Sequence, residues 1–80
     1  MNIHVGNLSP ETTEEDLMKL FSRFGKVKSV NIIKYPSNLS KGYGFIDMPA
    51  SAEAQEAIQK LKSFDVKGKS IAVSEARSRN

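Results

Sequence analysis

The 80-residue chain contains no cysteine. That one absence removes disulfides, cysteine-bound zinc, iron–sulfur clusters and thiol chemistry together, and leaves packing as the source of stability. A domain this small without a covalent staple fits a reducing compartment better than a secreted one. Long apolar runs are missing too, and the opening residues Met1-Asn2-Ile3-His4 carry neither a basic nor an apolar leader. The expectation is a soluble, cytoplasmic, monomeric protein with no membrane partner. A further absence concerns charge of one sign. From Lys19 to Lys41 there is no Asp or Glu, while Lys19, Arg23, Lys26, Lys28, Lys34 and Lys41 all fall in that stretch.

The remaining composition is that of a folded domain. Hydrophobic residues make up 39% and charged residues 26%, well away from the polar, highly charged regime of disordered chains. The length allows one core, assigned to residues 1–76, with 77–80 as a short basic tail. The formal charge of +3 favours polyanions without naming one.

Residues 3–8, Ile3-His4-Val5-Gly6-Asn7-Leu8, begin with strand alternation, and Ser9-Pro10 breaks it. Thr12 and Thr13 are both candidate N-caps, with Glu15 or Asp16 three positions on completing a capping box. Leu17, Leu20, Phe21 and Phe24 then fall on one helical stripe, and Gly25 offers a left-handed stop. Val27–Lys34 reads as a second strand and Lys41–Met48 as a third, joined through the turn-rich segment Tyr35-Pro36-Ser37-Asn38-Leu39-Ser40. Ser51 is the expected cap of a second helix carrying Ala54, Ala57, Ile58 and Leu61 on one face. After Phe64 and a turn at Gly68, Ile71 and Val73 mark a last strand.

The order β-α-β-β-α-β closes most simply as an α+β, ferredoxin-like sandwich: a four-stranded antiparallel sheet with two helices on one face. The chain is too short to cover the other face. Alternation sends Ile3, Val5, Val30, Ile32, Ile71 and Val73 to the helices and His4, Asn31, Ile33, Ala72 and Ser74 to the open side. On the third strand, Gly44, Ile46 and Met48 suit a covered face, which turns Tyr43, Phe45 and Asp47 outward. Two outward aromatics form a patch that a partner should cover. Nucleobases fit such a patch, because every base has a π-face and stacking contributes roughly 1–3 kcal/mol per base.

Two segments resemble the signatures of RNA-recognition motif domains. Lys41-Gly42-Tyr43-Gly44-Phe45-Ile46-Asp47-Met48 looks like the RNP1 octamer, and Ile3-His4-Val5-Gly6-Asn7-Leu8 looks like the RNP2 hexamer. They occur on the third and first expected strands, which are neighbours in this fold. The resemblance covers essentially the whole chain, and Ala72-Val73-Ser74-Glu75-Ala76-Arg77 is similar to the ending of small single-domain bacterial members. It implies that Phe45 stacks a base, that Tyr43 packs against ribose, that Lys41 pairs with a phosphate, and that His4 stands where a second stacking aromatic is common. The partner implied is single-stranded RNA, with single-stranded DNA bound more weakly. Asp47 is a candidate acceptor for a base edge, Asn31 and Ser74 are candidates for base-edge hydrogen bonds, and Arg77 would extend the site. Asn7 reads as turn-stabilising. Tyr35, in the hairpin loop, divides evenly between loop packing and base contact.

Two other classes of function fit these residues less well. A domain of this shape repurposed for protein–protein interaction is expected to have lost the aromatics that Tyr43 and Phe45 supply. An enzyme or metal carrier lacks its residues: there is no cysteine pair, one histidine only, no Arg in the Ser9-Pro10 loop, and no partner for Asp47 as an acid–base pair. A non-catalytic protein without a cofactor is expected.

Overall fold

A computed structural model describes residues 1–76. In chain order the elements are β1 (Asn2–Gly6), α1 (Glu14–Phe21), β2 (Ser29–Lys34), β3 (Ser40–Asp47), α2 (Ser51–Leu61), β4 (Asp65–Val66), β5 (Lys69–Ser70) and β6 (Ala72–Ala76). The expected β-α-β-β-α-β order is present, with the small β4–β5 ribbon inserted before the last strand. Four strands form one sheet in the order β2-β3-β1-β6, every neighbouring pair antiparallel. No helix among the described residues is long and apolar enough to cross a membrane.

Helix α1 starts where the capping chemistry dictates. Thr13 is the N-cap: its hydroxyl accepts from the Asp16 N–H at 3.1 Å, and the Asp16 carboxylate accepts from the Thr13 N–H at 2.9 Å. The alternative cap, Thr12, is buried, and its hydroxyl has no hydrogen-bond partner among the described residues. Asp16 also pairs with the Lys67 ammonium at 2.9 Å. Its carboxyl is held below its ordinary value, first by the Thr13 backbone N–H and then by Lys67. Because the folded value lies below the unfolded one, the stabilisation is full at neutral pH and fades as pH falls through the acidic carboxylate range. Thr13→Ala is expected to cost about 1 kcal/mol in urea unfolding at neutral pH. An unchanged midpoint would show that the box is dispensable.

The helix ends earlier than the stripe predicts. Ser22 closes it, its N–H and hydroxyl both donating to the Met18 carbonyl at 2.9 and 2.6 Å. Phe24 lies one turn further on, partly buried against the core, its N–H bonded to the Phe21 carbonyl in a tighter three-residue step. Gly25 is therefore not the stop. Its backbone is extended, and a Cβ there would collide with the Glu53 side chain at the start of α2. Ser51 is likewise not a cap: Ala50 holds that place without a side-chain bond, and Ser51 is already helical.

The core lies between the helices and one face of the sheet. Ile3 and Val5 of β1, Ile32 of β2, Ile46 of β3 and Val73 of β6 are buried against Leu17 and Phe21 of α1 and Ala54, Ala57 and Leu61 of α2. The alanines allow α2 to approach the sheet closely. Gly44 is required by the same economy of space: a Cβ would stand 2.5 Å from the Asn31 carbonyl oxygen and 2.9 Å from the Ile32 Cα of the adjacent strand. Just beyond it, the β2–β3 register shifts between Ile32 and Lys34.

The β4–β5 ribbon has no signature in hydrophobic period, because its strands are two residues long. Its turn explains it. Lys67 and Gly68 both have positive φ, 53° and 89°, the requirement of a two-residue I′ hairpin loop, and the Gly68 N–H donates to Asp65 Oδ1 at 2.9 Å.

Candidate nucleic-acid interface

Pairing across the sheet aligns the outward residues in rows. His4 on β1 is opposite Phe45 on β3 and Ser74 on β6, and Phe45 is opposite Asn31 on β2. One row therefore reads Asn31, Phe45, His4, Ser74, a polar group at each end and two rings between. The register places it on the face away from the core, since Ile3, Val5 and Ile46 on the same strands are buried.

The rings touch one another. His4 stacks on Tyr43 with centroids 5.8 Å apart and planes 26° from parallel, and meets Phe45 edge-on at 5.4 Å. Tyr43 and Phe45 stand perpendicular at 6.2 Å. These are the offset and T-shaped arrangements that ring quadrupoles favour. The three rings are partly exposed and pack on one another, giving an aromatic platform at the centre of a face that the described residues leave open.

A neighbouring row holds Asp47 between Ser29 and Asn2, with Ala76 beyond. Asp47 is not a bare carboxylate: the Met1 ammonium lies 3.7 Å away and donates to the Met48 carbonyl at 2.9 Å. Lys41 is exposed, with its ammonium 5.1 Å from the Tyr35 ring centroid in cation–π geometry. Tyr35 is itself half exposed on a closed loop, its N–H bonded to the Leu39 carbonyl at 2.8 Å. Arg77 lies outside the described residues.

The run of cations from Lys19 to Lys41 does not form one patch. Lys19 pairs with Glu15 on α1 at 3.5 Å, and Arg23 lines a groove with Asp16, Leu20 and Phe64 on the helical side. Helical periodicity and the turn after α1 scatter charges that are consecutive in sequence. One residue that linear reading missed does lie at the site. Lys69, on β5, lines an open depression of about 470 Å³ together with His4, Gly6, Lys41, Gly42 and Tyr43. Only the hairpin carries it there, so sequence pattern offered no signal for it. Asn7 has φ 56°, and its amide donates to the Ser70 carbonyl at 2.7 Å, which ties that hairpin to the end of β1. The turn-stabilising reading of Asn7 has this contact as its physical content.

The RNA recognition motif family pattern matches residues 3–72. The chain belongs to the RNA recognition motif family. It is 39% identical over 80 residues to RbpE of Nostoc sp., a protein named for RNA binding, covering 99% of this chain and 81% of that one. It is also 38% identical over 74 residues to the mouse boule-like protein, covering 92% of this chain but only about a quarter, 25%, of the relative. Among solved structures, RNA-binding protein PG1 superposes with a TM-score of 0.95 at 37% identity, covering 100% of this chain and 98% of that one. A Sex-lethal protein–RNA complex superposes at 0.92 with 31% identity, covering 99% and 48%. The four-stranded sheet backed by two helices is thus the ferredoxin-like fold of RNA recognition motif domains.

Proposed function

We propose that the open sheet face binds a short stretch of single-stranded RNA as a non-catalytic module. The observation that carries this reading is the cluster of His4, Tyr43 and Phe45, mutually packed yet uncovered, between polar residues on both flanking strands. Relatives named for RNA binding and the superposition on a protein–RNA complex support it.

In this reading Phe45 carries a base, Tyr43 packs against ribose, and His4 offers a smaller third surface. Asn31 and Ser74, at the two ends of the row, meet base edges, and Asp47 accepts from one. Arg77 extends the track. Two stacked bases supply about 2–6 kcal/mol, short of the roughly 8 kcal/mol of a micromolar complex. Phosphate contacts, beginning with Lys41, supply the remainder. Contact with ribose makes single-stranded DNA the weaker ligand, because it lacks the 2′-hydroxyl.

The test is a titration of single-stranded RNA, duplex RNA and single-stranded DNA of equal length at several salt concentrations. Tightest binding to single-stranded RNA is expected, with log affinity falling against log salt at about −0.7 per phosphate neutralised. Absence of binding at low salt, or equal affinity for duplex, would overturn the reading. A peptide-binding use of the same face would show little salt dependence.

A further inference from the structure

We infer that the depression between Lys41 and Lys69 is a phosphodiester site, and that Asn7 positions it by latching the β4–β5 hairpin. The inference rests on the RNA-binding reading above and adds a second cation to it. Lys69 lies outside both strand signatures and reaches the aromatic platform only through the I′ hairpin.

Three observations point to a phosphate. First, among the described residues the charged side chains lining the depression are both lysines, and no carboxylate lines it. An ion of opposite sign entering it therefore meets attraction from two sides with no opposing charge on the wall. Second, two of its lining residues are glycines: Gly6 and Gly42 add no side chain beside His4 and Tyr43, and a Cβ on Gly6 would already press on the His4 ring at 3.3 Å. Gly42 has φ 87°, a conformation other residues rarely adopt. Third, the platform forms part of the same wall, so a nucleotide whose sugar or base rests on Tyr43 or His4 has its phosphate within the reach of a lysine stem.

The latch explains why Lys69 is held there. The Asn7 side chain reaches 63 residues along the sequence to the carbonyl of Ser70, the neighbour of Lys69. In the loop of the ribbon, Lys67 is bound to Asp16 at 2.9 Å and to the Glu11 carbonyl at 3.1 Å. The hairpin is therefore fastened at its second strand and at its loop. Asn7 is a positioning residue, since it touches the hairpin backbone and acts on the ligand only through Lys69.

The experiment measures the salt dependence of single-stranded RNA affinity for the intact chain and for Lys69→Ala, Lys69→Glu, Asn7→Gly and Lys60→Ala. Lys60 is an exposed residue in the last turn of α2 and serves as a control for general charge. Lys69→Ala is expected to reduce the slope by about 0.7, the loss of one phosphate contact, and Lys69→Glu to weaken binding further. Asn7→Gly preserves the positive φ while removing the amide, and it is expected to lower the slope although Lys69 is still present. Lys60→Ala should retain the parent slope. If the parent chain binds RNA and Lys69→Ala keeps its slope, the phosphate site is refuted while the RNA-binding reading stands. If Lys69→Ala loses slope and a folded Asn7→Gly does not, the latch is refuted and the site stands. Failure of the parent chain to bind overturns both.

Discussion

Phe45→Ala is expected to weaken single-stranded RNA binding by about 1–3 kcal/mol, roughly 5- to 150-fold, while leaving the unfolding midpoint almost unchanged. The separation of the two effects follows from where the ring sits. Phe45 is in the middle strand pair of the sheet, opposite His4 and Asn31, and faces away from the core. Its neighbours in sequence, Gly44 and Ile46, are buried and hold the strand in place without it. The ring's own contacts are with His4 and Tyr43, so truncation also frees those two rings to move. Some of the lost affinity should therefore appear as a faster off-rate from a less rigid platform. Equal affinities of the parent and Phe45→Ala, measured by titration at one salt concentration, would exclude stacking on this ring.

The opposite separation is expected one layer below. Phe21 is fully buried and is the largest of the fully buried side chains. Phe21→Ala should cost about 3–5 kcal/mol in urea unfolding, from lost transfer energy and an unfilled cavity between α1 and the sheet. Against the 5–15 kcal/mol typical of a small domain, that leaves a marginal fold. RNA affinity of the fraction still folded should be close to that of the parent, because Phe21 is on the helical side. A urea midpoint equal to the parent's would remove Phe21 from the core.

The two variants remove the same side chain and differ only in the face from which it is removed. That difference was largely legible in the sequence. Strand period 2 and helix period about 3.6 are fixed by backbone geometry, so alternation alone separated Tyr43, Phe45 and Asp47 from Gly44, Ile46 and Met48. The Leu17, Leu20 and Phe21 part of the first stripe was equally plain. Boundaries were less so. Phe24 continued the apolar spacing after Ser22 had ended the helix, because packing against the core asks only that a residue be apolar and near, not that it be helical. The choice between Thr12 and Thr13 as cap was open for a similar reason. Both offer a hydroxyl, and only the path of the chain decides which one faces the first free N–H groups.

The sequence by itself determined the order of the two helices and the four strands of the main sheet, and the facing of Tyr43 and Phe45 away from Gly44 and Ile46, since each follows from local backbone geometry. Tertiary structure decided what lies beside what. Register brought Asn31, Phe45, His4 and Ser74 into one row, although they come from four strands. The turn after α1 carried Arg23 away to the helical side, and a two-residue hairpin loop delivered Lys69 to the rim of the platform. Charge acts through space, so which cations share a surface depends on contacts between residues distant in the chain, and no period in the sequence records them.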